Sequence, residues 1–408
     1  MTFLDFSALH EPSNIFTIAN KALKLTSAED VEPILNDLNK LPKVTKIDLS
    51  GNTIGIEASR ALANAILQNT AVKDNLIEVN FADLYTSRLV DEVVESLNLF
   101  VPVWLACPQL QIVNLSDNAF GLRTIDSLET YISQAAQLQH LILSNNGMGP
   151  FSGERIGKAL FKLAKLKQEK KKPLLETFIC GRNRLENGSA THLALGLKAH
   201  GSGLKTVRLY QNGIRPQGVA VLIKYGLSNN EKLEVLDLQD NTFTTSASLI
   251  LAEVLPVWRE TLIELNVNDC LLKGPGANAV MESLANHKFH NLHTLKLQYN
   301  ELTHETLVSS LLPALQSEKF PALKFLELNG NRLEEDSEAL AELEEVFDGT
   351  LDELDDLEEL DSEEESEEEE EGEEEQGFVT SADVEAAEKA LLESQVEDLT
   401  DQLANASI

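Results

Sequence analysis

One spacing recurs along most of this chain and restricts its fold more than any other feature. An apolar residue is followed by others at +3 and +5, by Asn at +8 and by an apolar residue at +10, as in Leu138, Leu141, Leu143, Asn146 and Met148. This is the leucine-rich-repeat pattern L-x-x-L-x-L-x-x-N/C-x-L. Units begin at Val44, Leu76, Leu110, Leu138, Leu175, Leu204, Leu233, Leu262, Leu292 and Leu323, at intervals of 28 to 37 residues. Ten matches in series make a repeat array, in which each unit packs on its neighbours and the core grows lengthwise. A degraded eleventh unit is expected before them, with Ala22–Leu25 as its strand and a helix through Glu32–Leu41.

Each unit has two halves. Segments such as Leu233–Leu238 alternate apolar residues at period two and predict short strands, whereas Ala58–Leu67 has helical spacing. Neither half buries its apolar face alone, so stacking must fold it. The expected architecture is α/β: a crescent of about eleven ribonuclease-inhibitor-like βα units. Parallel strands line the concave face and helices the wider, convex face.

The +8 Asn has a structural explanation. Its amide can satisfy backbone groups in the turn leaving the strand, in its own unit and the next, where no ladder reaches them. Asn52, Asn118, Asn146, Asn183, Asn212, Asn241, Asn300 and Asn331 hold that place, and Cys270 substitutes once. The second unit breaks the series with Leu84, followed by Tyr85-Thr-Ser-Arg88. Its turn is expected to take another path, either as a merely irregular loop or as one that presents Arg88. The widest interval ends in Lys162–Pro173, a lengthened helix with a basic end that favours its own C-terminal dipole. That end reads either as a solvated helix terminus or as a basic docking patch or localisation signal.

Charge excludes several functions. The formal net charge is −34, and from Asp352 to Glu375 18 of 24 residues are Asp or Glu. Subtracting them leaves −16, so the body is acidic too and repels phosphate. Neither nucleic acid nor an anionic membrane is an expected partner. The acidic run cannot bury enough apolar surface to offset its ordering entropy. The chain therefore divides into an N-terminal capping unit over 1–43, a repeat domain over 44–348, an acidic disordered tail over 349–377 and a C-terminal segment over 378–408. In the last, Val384, Leu391, Leu392, Val396, Leu399 and Leu403 are spaced for an amphipathic helix, marginal unless it docks.

Three cysteines make no disulfide framework, and Cys180 and Cys270 fall on core positions. With no basic n-region at the start and no long apolar run, an intracellular, reducing compartment is expected. No phosphate-binding loop, His-Glu-x-x-His or Cys-x-x-Cys motif occurs, and the eight histidines are scattered. No metal site and no intrinsic enzymatic activity are expected.

What remains is the column at +7, one residue before the structural Asn. It reads Gly51, Asp83, Asp117, Asn145, Arg182, Gln211, Asp240, Asp269, Tyr299 and Gly330. Loops on a rigid scaffold commonly carry recognition residues, and the repeat consensus imposes nothing at this position. Polar residues are also what any exposed turn would hold.

Beyond the consensus, several segments resemble the Ran GTPase-activating protein family in its fungal form. They are SGNTIG (50–55), LSDNAFG (115–121), SNNGMGP (144–150), ICGRNRLENGS (179–189), QNGIRP (211–216), LQDNTF (238–243), NDCLL (268–272), LQYNE (297–301) and ELNGNR (327–332). The resemblance spans essentially the whole chain and implies a crescent that binds GTP-loaded Ran and accelerates its hydrolysis of GTP. It further implies a cytoplasmic monomer supporting directional nuclear transport together with a Ran-binding protein. GTP and Mg would be bound by the GTPase, and no cofactor by this chain. The family is understood to order the GTPase's own glutamine with an asparagine, without an arginine finger, and that asparagine falls on Asn145. Arg88 and Asp240 match partner-binding residues of the family, with Arg184 and Asp117 as further candidates. The competing readings are a binding scaffold or inhibitor of the ribonuclease-inhibitor kind and an acidic histone-binding protein. The low cysteine content speaks against the first and the repeat length against the second.

Overall fold

The computed structural model describes residues 4–357 and 379–406, with side chains as far as Gln395. The chain divides into two compact units, Met1–Leu185 and Glu186–Ile408.

In the first unit the strands are β1 (Ile15–Thr17), β2 (Lys24–Leu25), β3 (Lys46–Asp48), β4 (Thr53–Ile54), β5 (Glu78–Asn80), β6 (Ile112–Asn114), β7 (His140–Ile142) and β8 (Thr177–Ile179). β1, β3, β5, β6, β7 and β8 form a parallel ladder without slippage, so that Ile47, Val79, Val113, Leu141 and Phe178 stack as neighbours. All five are fully buried. Each repeat thus places its +3 side chain under that of the unit before, and the apolar column is continuous. The helices Ile56–Gln68, Val90–Ala106, Ile125–Gln134 and Gly149–Glu169 cover it from one side. Phe81, Phe100, Trp104 and Tyr131 pack edge-on and stacked with ring centroids 5.1–5.6 Å apart.

Two expectations for this unit change. The ladder strand of the capping unit is Ile15–Thr17, which pairs with β3, whereas Lys24–Leu25 pairs with β4 in a separate two-stranded sheet. Only Phe16 and Ile18 point inward there, too short an alternation to register as a repeat. The basic helix end is not simply solvated either. Lys167 is fully buried, and its ammonium donates to the carbonyls of Ala136 (3.0 Å) and Pro173 (2.8 Å). Burial lowers its pKa to about 8.

In the second unit the ladder continues the same logic through β9 (Thr206–Arg208), β10 (Val235–Asp237), β11 (Glu264–Asn266), β12 (Thr294–Lys296), β13 (Phe325–Glu327) and β14 (Thr350–Leu351). Val207, Leu236, Leu265, Leu295 and Leu326 form the buried column. On the opposite face the Arg208 guanidinium pairs with Asp237 (2.8 Å) on the adjacent strand and reaches Glu264 (3.0 Å) on the strand after it, all three buried. Strand β14 lies beyond residue 348, so the array does not stop near Phe347 and the acidic tail does not begin as disordered chain. The Asp352 carboxylate accepts from the backbone N–H groups of Leu328 and Asn329 (both 2.8 Å) and from the Gln298 amide (2.8 Å). The first carboxylates of the acidic run therefore cap the open edge of the ladder, satisfying donors that a further repeat would otherwise have met. The rest of that run falls within residues 358–378, which lie outside the described residues.

The C-terminal helix forms, spanning Ser381–Ala406, and it docks on its own unit. Thr380 and Asp383 cap it reciprocally. Val384 and Leu391, seven residues apart on one face, are buried, and Lys198 of the helix Glu186–His200 pairs with Glu388 at 2.7 Å. Leu392, expected on the apolar face, is 43% exposed.

Candidate functional site

The turns leaving the strands are built from the +8 residue outward. Asn146 is fully buried, and its Oδ1 accepts from the Asn118 N–H (2.8 Å). Its Nδ2 donates to the carbonyls of Leu115 and Leu143 (both 3.0 Å). The same bonds recur at Asn52, Asn118, Asn241, Asn300 and Asn331. Besides its own unit, the amide serves the preceding one, not the next as the sequence reading has it. The reason is directional: the side chain leans back along the stack, toward the carbonyl of the previous +5 residue. Leu84 lacks the amide, but its N–H is still accepted by Asn118 Oδ1 (2.7 Å). Cys270 fills its place with a sulfur 3.3 Å from the Leu238 carbonyl. Cys107, Cys180 and Cys270 are all buried, and burial pushes the first two thiols up to about 12.

The +7 column has a backbone signature that sequence inspection does not reveal. All ten of its residues adopt left-handed φ values, from +48° at Asp83 to +68° at Gly51 and Gly330. Gly, Asn and Asp accept this conformation at little cost, whereas other residues lose roughly 1–2 kcal/mol. The column is therefore not unconstrained, and its richness in Asp, Asn and Gly follows partly from φ. Gly330 is moreover buried beneath the Tyr299 ring, where a Cβ would come within 2.1 Å of that ring. Successive backbones are also tied together. The N–H of Asp83, Asp117 and Asn145 each donates to the +6 carbonyl of the following unit, at 3.0, 2.9 and 2.8 Å. A side chain at +7 thus leaves a platform fixed on both sides.

In the first unit this platform displays Asp83, Asp117, Asn145 and Arg182, all exposed, with Arg184 two residues further on and also exposed. The Asn145 Nδ2 donates to Asp117 Oδ1 at 2.8 Å. Arg182 and Arg184, at φ +56° each, have no hydrogen bond or ion pair among the described residues. Arg88 is held differently. Its guanidinium donates to Thr53 Oγ1 (2.9 Å), Thr26 Oγ1 (3.1 Å) and the Leu25 carbonyl (3.3 Å), and Glu92 lies 3.7 Å away. With a side chain only 11% exposed, it braces the N-terminal units against each other. The loop after β5 is irregular, with Ser87 at φ +65°, but it turns Arg88 inward onto the scaffold.

The second unit displays Gln211, Asp240 and Asp269 at the same level, each exposed. Gln211 donates to Asp240 at 3.0 Å. These residues, with Gly213, Asn241, Thr242 and Leu271, line one shallow hollow. Partial burial and the neighbouring Asp240 charge raise the pKa of Asp269. Sequence reasoning singled out Asp240 and passed over Asp269; their spacing of one repeat was the available signal. Among the described residues no cluster of His, Cys, Asp and Glu could hold a metal, and no helix is long and apolar enough to cross a membrane.

In-register parallel strands, an Asn ladder and rigid rim turns carrying exposed polar side chains define a leucine-rich-repeat protein. No family model matches the chain. The chain is 62% identical over 348 residues to Ran GTPase-activating protein 1 of Saccharomyces cerevisiae, covering 85% of this chain and 86% of that one. It is 37% identical to Ran GTPase-activating protein 1 of Xenopus laevis, over 48% of this chain and 33% of that one. The Drosophila melanogaster Ran GTPase-activating protein is 33% identical over 53% of this chain and 36% of its own length. The chain belongs to the family of Ran GTPase-activating proteins. Among solved structures, an internalin of Listeria monocytogenes aligns at 15% identity with a TM-score of 0.45, over 83% of this chain and 71% of that one.

Proposed function

We propose that this chain accelerates GTP hydrolysis by Ran, and that Asn145 does so by orienting the glutamine of the GTPase that positions the attacking water. The observation that carries the first part is the 62% identity to the Saccharomyces cerevisiae protein across most of both chains. The second part is supported by geometry. Asn145 is exposed on a turn whose backbone is hydrogen-bonded at both neighbouring repeats, and its Oδ1 has no partner among the described residues. Phosphoryl transfer is governed by positioning and by stabilisation of spreading charge, so fixing one side chain of the GTPase removes a large part of the barrier. An amide suits this task because it offers a donor and an acceptor to another amide. The chain itself performs no chemistry in this reading; nucleotide and Mg belong to the GTPase.

The partner is Ran in its GTP-bound form, met by a monomer of this chain in the cytoplasm with a Ran-binding protein assisting. Asp240, with Asp269 beside it, offers carboxylates to basic side chains of that partner. The test is single-turnover hydrolysis of Ran·GTP under saturating amounts of this protein. An acceleration of orders of magnitude is expected, with Asn145→Gly losing most of it while the complex still forms. Hydrolysis at the uncatalysed rate with the native chain would refute the activity. A wild-type rate with Asn145→Gly would refute the role given to that residue alone.

A further inference from the structure

Asp117 lies one repeat before Asn145 in the same column, and its carboxylate takes the Asn145 amide hydrogen at 2.8 Å. An Asn side chain by itself can present either its oxygen or its nitrogen outward, because the two orientations have the same shape. An ionised carboxylate has only acceptors, so it can face only the nitrogen. The contact therefore determines which way the amide points: nitrogen toward Asp117, oxygen toward solvent. Both backbones are held, with φ +61° at Asp117 and +54° at Asn145, and each N–H is bonded to the next unit. The distance between the two side chains is thus built into the stack.

We propose that Asp117 is a positioning residue for the activation of the GTPase. It presents the Asn145 oxygen outward as an acceptor for the amide of the incoming glutamine, rather than itself contacting Ran. This rests on the reading of Asn145 given above. A glutamine that donates its amide N–H to Asn145 turns its own carbonyl oxygen away, toward the attacking water. With the Asn145 amide reversed, the same glutamine would be held the wrong way round.

The test uses four full-length variants chosen for the backbone. Gly and Asn both tolerate left-handed φ, so Asp117→Gly, Asp117→Asn, Asp83→Gly and Asn145→Gly add no strain, whereas Ala would. Single-turnover hydrolysis of Ran·GTP is measured against the concentration of each variant. Asp117→Gly should lower the saturating rate roughly three- to tenfold, the range available from one typical, solvent-exposed hydrogen bond. Its half-saturating concentration should not change. Asp117→Asn, which permits both amide orientations, should fall between that variant and the native chain. Asp83→Gly removes the same charge from the adjacent +7 position without touching Asn145 and should leave the saturating rate unchanged. A native saturating rate for Asp117→Gly, an equal loss for Asp83→Gly, or a loss seen only in the concentration dependence would each overturn the proposal. If Asn145→Gly is slow while Asp117→Gly is native, only the positioning role fails. If Asn145→Gly is itself native, the reading beneath it fails as well.

Discussion

Asn145 and Asn146 are adjacent and chemically identical, yet their different surroundings lead us to expect opposite phenotypes. Replacing Asn146 by Ala removes three hydrogen bonds from a fully buried site. They are not equivalent. The carbonyl of Leu115 keeps the amide of Asn118 (2.9 Å) and that of Leu143 keeps the amide of Asn183 (2.8 Å). Each carbonyl loses only its second donor, at a cost of about 0.5–1 kcal/mol. The Asn118 N–H has no such reserve and is left buried without an acceptor, which costs about 1–3 kcal/mol. The sum is about 2–5 kcal/mol, a large part of the 5–15 kcal/mol typical of a folded domain. Asn145→Gly loses one exposed hydrogen bond and gains a residue suited to φ +54°, so its stability should stay within about 0.5 kcal/mol of native. Urea unfolding followed by far-UV circular dichroism, on the native chain and both variants, compares them directly. In hydrolysis assays the order should invert, with Asn145→Gly the impaired variant. If Asn146→Ala unfolds at the same urea concentration as Asn145→Gly, the ladder does not stabilise the stack.

Arg88→Ala should destabilise the fold by about 1–3 kcal/mol, because three donors to Leu25, Thr26 and Thr53 disappear together; an unchanged melting temperature would show that the brace is idle. Arg182→Ala and Arg184→Ala test the absence of an arginine finger. Such a finger is worth on the order of 10³–10⁵ in rate, so a loss of that size in the saturating single-turnover rate of either variant would reinstate one. Val384→Asp or Leu391→Asp should undock the C-terminal helix, exposing Ser381–Ala406 to limited proteolysis that the native chain resists, since each places a charge at a buried contact. The buried thiols predict alkaline sensitivity. Cys180 has its pKa raised from 9.0 to about 12 by burial, so above about pH 9 the unfolded chain releases a proton that the folded chain retains. The stability it confers is complete below pH 9 and lost as pH rises toward 12. The urea midpoint of the native chain should therefore fall more steeply between about pH 9 and 10.5 than that of Cys180→Ala; parallel slopes would contradict this. Lys167, whose pKa is lowered, acts in the opposite direction but equally in both proteins.

The repeat was legible because its information is local. Period-two alternation, helical spacing and an amide at +8 are set within about thirty residues, and stacking only multiplies them. Buried Cys180 and Cys270, the structural Asn series and the type of every central strand follow from that periodicity alone. The ends were harder to read, since a terminal unit has one neighbour and is released from the consensus. Ile15–Thr17 takes the ladder position with little more than Phe16, and Asp352 supplies by its carboxylate what a further repeat would have supplied by its backbone. Arg88 was visible as an arginine in an irregular loop, but not as a brace, because its acceptors lie 35 to 63 residues away in sequence. At the rim the sequence singled out Asn145 as a candidate, by place and by resemblance. The left-handed backbone beneath the whole column, and the hydrogen bond from the Asn145 amide to the Asp117 carboxylate, exist only once consecutive repeats lie side by side. Periodicity determines which residues become neighbours; only the stacked backbone fixes φ and the few ångströms over which a hydrogen bond chooses one side of an amide.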